Sequence, residues 1–369
     1  MKILLLDNSS LKPVNGDYCI EPKTGYFAKE LLGLDNEVTL YGQKVKTQDQ
    51  FHSFKLIENG LGVVGLDRRR NKLLNYLFLY LRVIPEILKN DFVYIFYPSA
   101  FKYVAVICWI LRKKYGLYIR GQQGVNDKLS HFIYNKAKTI FTVTDGFTNL
   151  VKNITEKENV FTIRPMIPFT VNDIIVDRNY NSEPPFKILY LGRVVADKGL
   201  GELIKAISIL KDKINKIELT IVGDGSFIPN IKSMVHEFKI EDCVKLIGNV
   251  VDPIEIAEYY TKSDVYILPT YHEGFPRTLY EAMIFGTPII TTFVGGIPGI
   301  MKDGYNCKRI EPKSVKSIVD GLEFAFCNYN KMIEYAKNGT DIVYNILDPE
   351  RPSHAEHLNQ ILKKDSNLN

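Results

Sequence analysis

The chain has 369 residues and a mass of 42.3 kDa, more than one hydrophobic core usually organises, so two domains are expected. At 46% hydrophobic and 24% charged residues, the composition excludes disordered, collagen-like and coiled-coil architectures. The net charge of +5 is uneven: residues 1–170 hold 24 Lys/Arg against 15 Asp/Glu (+9), and residues 171–369 hold 23 against 27 (−4), which suggests different partners for the two halves.

The start, MKILLLDNSS, reads as a first β-strand and not as a signal peptide. Further strands are predicted at 37–41, 92–97, 117–120, 140–144 and 160–163, then at 187–191, 218–222, 244–247, 265–268 and 289–292. Helical periodicity lies between them, at 201–211, 229–238, 255–263 and 279–285 among others. Buried strands alternating with helices imply parallel sheets covered on both faces. The alternation pauses at 164–186, where Pro165, Pro168, Pro184 and Pro185 flank a polar run. The expected organisation is an N-terminal Rossmann-like acceptor domain (1–165), a linker (166–186), a C-terminal Rossmann-like donor domain (187–345) and a helical tail (346–369) packing back on the first domain. No segment offers the ~20 apolar residues that span a bilayer. Five scattered cysteines without a CxxC pair argue against a disulfide framework and favour a reducing compartment. The expected location is cytoplasmic, with a peripheral membrane position open.

In open parallel sheets, ligands bind in the loops beyond the carboxyl ends of the strands. Four such loops in the second half carry chemistry. After 187–191 comes GRVVADKG, in which Arg193 and Lys198 flank a turn between glycines and suit two phosphates. VGDG follows 218–222, with Gly223. After 265–268 comes PTYHEGFPRTLYEAM, where Pro276 suits the first helical position and the following N–H groups offer an anion site. Glu273 precedes that helix and Glu281 lies one turn beyond Arg277. VGGIPG, after 289–292, lets backbone approach a ligand. Singly, each is a common turn or cap; together they point to a nucleoside diphosphate.

GRxxxxKG, VGDG, the Glu-x7-Glu element of EGFPRTLYEAM and GTPII…VGGIP, in this order, resemble family 4 of the retaining glycosyltransferases, closely over about residues 187–306. The resemblance implies an α/β chain of GT-B fold, with two facing Rossmann-like domains and an interdomain cleft. It also implies roles. Arg193 and Lys198 would neutralise the leaving diphosphate, and Glu273 would touch the donor sugar. Glu281 would hold the ribose, and the amides of Arg277, Thr278 and Leu279 the phosphates. Gly248 and Val250 would border the base, and Gly192, Gly223, Gly274 and Phe275 would complete the donor loops. No DxD element occurs, so neither a metal nor a cofactor is expected beyond a nucleotide-sugar co-substrate, UDP ahead of GDP.

The first half departs from that family's pattern. Its first loop is a thin glycine match with Gly25, the fourth strand reads DFVYIFYP without a histidine, and Gln123-Gly124 stands where His-Gly is common. Arg120, Gln123, Asp127 and Gly25 are the acceptor-side candidates. The helix-like stretch 67–89 opens with Arg68, Arg69, Arg70 and Lys72 and turns apolar. It reads either as packed core beside a solvated charge cluster or as a face for anionic lipid, which would suit a polyprenyl-diphosphate-linked acceptor. Nucleic acid is not an expected partner. The expected function is hexosyl transfer from a UDP- or GDP-sugar to a hydroxyl of a glycan or lipid-linked acceptor, in bacterial surface polysaccharide synthesis. The rivals are a same-fold nucleotide-sugar epimerase and a catalytically silent nucleotide-binding subunit; a dinucleotide-dependent oxidoreductase lacks its GxGxxG.

Overall fold

The computed structural model describes residues 1–7, 10–45, 52–119, 127–155, 157–180, 183–214 and 216–366. The chain forms two compact units, Met1–Met166 with Arg351–Asn369, and Ile167–Glu350.

The first unit is built on strands β1 (Lys2–Leu6), β4 (Glu37–Gln43), β6 (Gly62–Leu66), β7 (Phe92–Tyr97), β8 (Lys114–Ile119), β9 (Thr139–Thr142) and β10 (Val160–Thr162). They pair in parallel in the order β10-β9-β8-β7-β1-β4-β6. An antiparallel sheet of β2 (Lys12–Val14), β3 (Asp17–Ile20) and β5 (Phe54–Lys55) stands beside it. All six side chains of β7 (FVYIFY) are buried, as a central strand covered on both faces requires.

Alternation along each strand divides the core. Leu4 and Leu6 face one layer, with residues of α2 (Lys72–Lys89), α3 (Val104–Ile110), α4 (Lys128–Lys136) and α5 (Asp145–Thr155). Ile3 and Leu5 face the other, with α1 (Pro22–Gly33) and the C-terminal helix His354–Ser366.

The second unit has strands β11 (Phe186–Leu191), β12 (Ile217–Val222), β13 (Val244–Gly248), β14 (Val265–Leu268), β15 (Ile289–Thr292) and β16 (Lys308–Ile310), parallel in the order β13-β12-β11-β14-β15-β16. Strand order therefore reverses between β11 and β14, the position where a doubly wound sheet opens its ligand crevice. Helix α6 (Leu200–Leu210) buries Leu200, Leu203, Ile204, Ile207 and Leu210, one apolar stripe, and packs on α7 (Ile228–Glu237) and α10 (Val315–Cys327). Helix α9 (Arg277–Ile284) packs on α8 (Pro253–Lys262) and α11 (Tyr329–Ile346). The C-terminal helix is α12.

The proline-rich segment read as a linker is not free chain. Its residues 167–186 belong to the second unit, where the Arg178 guanidinium donates to the carbonyls of Tyr260, Thr261, Ser263 and Phe285 and to Thr287 Oγ1 at 2.5–3.2 Å. Pro and polar composition signalled irregular backbone, but not that one half-buried arginine straps it down.

Candidate functional site

The loops at the carboxyl edge of the second sheet are laced to one another by backbone hydrogen bonds. Gly192 N–H donates to Val222 O (3.0 Å), and Gly223 N–H to Gly248 O (2.7 Å). Val194 N–H donates to Asp224 O, Tyr271 N–H to Asp197 O and Gly296 N–H to Gly274 O, all within 2.9 Å. Two glycines make this approach possible. Gly223, at φ +139°, has no room for a Cβ, which would lie 1.8 Å from Gly192 O; Gly295, at φ +59°, would put one 1.7 Å from Glu273 O.

Within this cluster the Lys198 ammonium and the Glu273 carboxylate form a close ion pair, with side chains only 7% and 17% exposed. Lys198 ends the 3-10 turn 196–198, and Glu273 belongs to the loop that leads into α9. The sequence reading set each of them toward a ligand; the structure places them on each other. Arg193, from the same loop as Lys198, is exposed and pairs with no acid among the described residues. Its carbonyl accepts from the Tyr190 hydroxyl at 2.7 Å.

Pro276 is not the first helical residue. With φ −73° and ψ 126° it stands one position earlier, as the N-cap, because its fixed φ also suits an extended residue leading into a helix. The shift moves the helix start to Arg277 and changes which amides are available. Leu279 N–H turns back on Pro276 O at 3.1 Å, while Thr278 N–H has no acceptor among the described residues. Phe275 is buried against Tyr280, ring centroids 4.5 Å apart.

Glu281 is 6% exposed and accepts from the Tyr260 hydroxyl at 3.0 Å. Tyr266 Oη donates to Thr278 Oγ1 at 2.7 Å. Burial drives the hydroxyls of Tyr190, Tyr260 and Tyr266 well above their ordinary range, so all three remain donors. Sequence reasoning missed these tyrosines, since tyrosine in an apolar strand or helix carries no signal beyond core. Gly248, at φ +89°, and half-buried Val250 flank Asn249, whose buried amide nitrogen has no partner. Its position between two singled-out residues was the available clue.

Of the acceptor-side candidates, Gly25 and Asp127 lie among the described residues. Gly25 lies inside α1, where a Cβ would meet the Phe54 ring at 2.2 Å, so close packing explains it. Asp127 caps α4 through Ser130 N–H and pairs with Lys102 at 2.6 Å; that lysine and the cap hold its carboxyl below the ordinary range, which makes it a weak base. Arg120 and Gln123 lie outside the described residues. Among the described residues no three His, Cys, Asp or Glu side chains gather as metal ligands, and no helix is long and apolar enough to cross a membrane.

Two doubly wound units in one chain, with glycine-laced loops at a switch point, define the GT-B fold. Anabaena HepE, solved in complex with UDP-glucose, superposes over 100% of both chains with a TM-score of 0.70 at 18% identity, a likeness of fold. Residues 172–341 match the family described as "Glycosyl transferases group 1". The amylovoran biosynthesis glycosyltransferase AmsK of Erwinia amylovora is 36% identical over 124 residues, 32% of this chain and 30% of AmsK. The capsular polysaccharide biosynthesis glycosyltransferase CapM of Staphylococcus aureus is 32% identical over 139 residues, 37% of this chain and 36% of CapM. The chain thus spans about a third of the length of either relative in the matched stretch.

Proposed function

We propose that this chain is a retaining, metal-independent glycosyltransferase. It moves a hexosyl unit from a nucleoside-diphosphate sugar, UDP ahead of GDP, to a hydroxyl of a glycan or lipid-linked acceptor in surface polysaccharide assembly. The observation that carries the proposal is the loop cluster at the β11/β14 switch point. It brings Arg193, the Lys198–Glu273 pair and the start of α9 to one sheet edge. The names of AmsK and CapM support the setting, and the UDP-glucose bound to HepE supports the donor.

In the reaction the bond from the anomeric carbon to the diphosphate oxygen breaks, its electron pair leaving with the diphosphate. The acceptor oxygen bonds the same carbon from the same face and passes its proton to the departing phosphate. Arg193 is the main cation that offsets the charge that develops, Lys198 being largely answered by Glu273. The first amides of α9 hold phosphate oxygens, Glu273 orients the sugar, Glu281 takes the ribose hydroxyls, and Gly248 to Val250 border the base. The cations do the work a divalent metal would otherwise do, so chelation with EDTA leaves transfer unchanged.

The test is transfer from UDP-, GDP- and ADP-hexoses to an added acceptor. Arg193→Ala lowers kcat about a hundredfold or more, and Glu281→Ala mainly raises KM for the donor. Near-normal turnover in Arg193→Ala sinks the mechanism. Isomerised sugar formed from donor alone identifies an epimerase instead.

A further inference from the structure

Helix α2 has two apolar faces, and only one is used. Asn75, Leu79, Val83 and Ile87, one residue every fourth, are buried against the first sheet. On the opposite side Leu73, Leu77, Leu81 and Leu88 stand 54–81% exposed. Helix α3, which packs on α2, also exposes apolar side chains: Trp109 and Ile110 are 47% and 65% exposed. The reading of this stretch as packed core is therefore half right: the inner residues are core and the leucine stripe is not.

Both ends of the stripe are cationic. At the helix start Arg68, Arg69, Arg70 and Lys72 line a cavity of about 490 Å³ at the carboxyl edge of β1, β4 and β6, with Gln43, Asn75 and Tyr76. Asn75 Oδ1 accepts from Arg69 N–H at 2.8 Å and from the Gln43 amide at 2.9 Å, and the Arg69 guanidinium lies 4.1 Å from the Phe78 ring centre, so the arginine turn is fixed and not loose. Among the described residues that line this cavity the acid is Asp7, which is buried and accepts from the Thr24 hydroxyl at 2.7 Å. Asp67, just before the arginine turn, pairs with Lys44 at 3.3 Å. At the other end of the helix Arg112 is exposed, and Lys89, also exposed, pairs with Glu86 at 2.8 Å.

We infer that this cavity and the outer face of α2 form one binding site for a phosphate- or diphosphate-bearing lipid presented by an anionic bilayer. The arginine turn takes the headgroup and the leucine stripe enters the acyl boundary. A soluble anion would account for the cavity but not for the leucines, and an apolar protein partner would not need cations at both ends. That the lipid is the acceptor's carrier rests on the transfer reading above; that the site binds it does not.

The test is flotation of the full chain with phosphatidylcholine vesicles, plain, doped with phosphatidylglycerol, or doped with undecaprenyl diphosphate. The chain floats with both anionic vesicles and prefers the diphosphate lipid, and inorganic pyrophosphate competes away that preference alone. Arg68→Ala/Arg70→Ala weakens binding to the diphosphate lipid roughly thirtyfold. Leu73→Glu/Leu77→Glu abolishes flotation with either vesicle. Both variants keep the wild-type thermal shift with UDP, so loss of that shift in the wild type counts against the donor reading and not against this site. Flotation of the leucine variant at wild-type levels overturns the inference, as does equal affinity for the two anionic lipids. A soluble dimer that the leucine variant dissolves into monomers also overturns it, in favour of a second copy on the stripe.

Discussion

The Lys198–Glu273 pair changes how charge is divided in the loop cluster. A nearly buried ammonium answered by a nearly buried carboxylate contributes little net field, so exposed Arg193 is the cation left to meet a diphosphate. Removing one partner of such a pair strands the other charge out of water, which costs about 3 kcal/mol. Glu273→Gln is therefore expected to unfold at lower denaturant concentration. Because it also frees Lys198, it should bind UDP several-fold more tightly by calorimetry while transferring sugar more slowly. Tighter binding with slower turnover separates a carboxylate that works on the sugar from one that only neutralises a lysine. Lys198→Met/Glu273→Leu, with neither charge left, should recover much of the lost stability.

At the level of elements, Arg178 joins the carboxyl ends of α8 and α9 to the segment that precedes β11. Five acceptors meet its two terminal nitrogens, four of them backbone carbonyls at or beyond helix ends. Arg178→Ala should cost about 3 kcal/mol of unfolding free energy, and Arg178→Lys should restore only part of it, because an ammonium cannot fork across two helix ends. Urea unfolding monitored by circular dichroism reads both. Since α9 carries Thr278 and Glu281, donor KM should rise in the alanine variant before the fold is lost.

Arg178 also marks the boundary of what was legible in the sequence. The donor-side loops lie close together along the chain, each between a β-run and a helix period, so alternation and glycine spacing located β11 to β15 and the site residues between them. Arg178 meets acceptors 82 to 109 residues away, and nothing local distinguishes it from a solvated cation. The same holds for the first unit. Edge strand β6 and the small antiparallel sheet lack a strong period, and the α2 cavity draws Asp7, Gln43 and the arginine turn from three separate segments. Gly25 shows a second thing the sequence hid: the position lies inside α1, where the Phe54 ring leaves no room for a Cβ.

For the molecule as a whole, α12 closes the first unit with residues from the far end of the chain. His354 lies among Phe27, Tyr94, Tyr118 and Phe141, its Nε2 2.5 Å from the Tyr94 hydroxyl across 260 residues of sequence. Burial, with His357 adding to it, pushes the imidazole down to about 3 from its ordinary 6.5, so the folded ring is neutral wherever the unfolded one begins to charge. Below pH 6.5 the unfolded chain binds a proton the folded chain does not. The stabilisation is complete above 6.5 and falls as pH drops from there toward 3, by about 1.4 kcal/mol per unit and about 2 kcal/mol by pH 5. His357, half-buried and lowered in the same direction, steepens the loss. In thermal unfolding followed from pH 7.5 to 5, the first unit should therefore lose stability. His354→Gln keeps a polar partner for Tyr94 without a titrating group, and its melting temperature should change much less over that range. A variant whose melting falls with pH as steeply as the wild type would place the acid sensitivity elsewhere, whereas a flattened profile makes α12 the element that ties folding of the first unit to proton concentration.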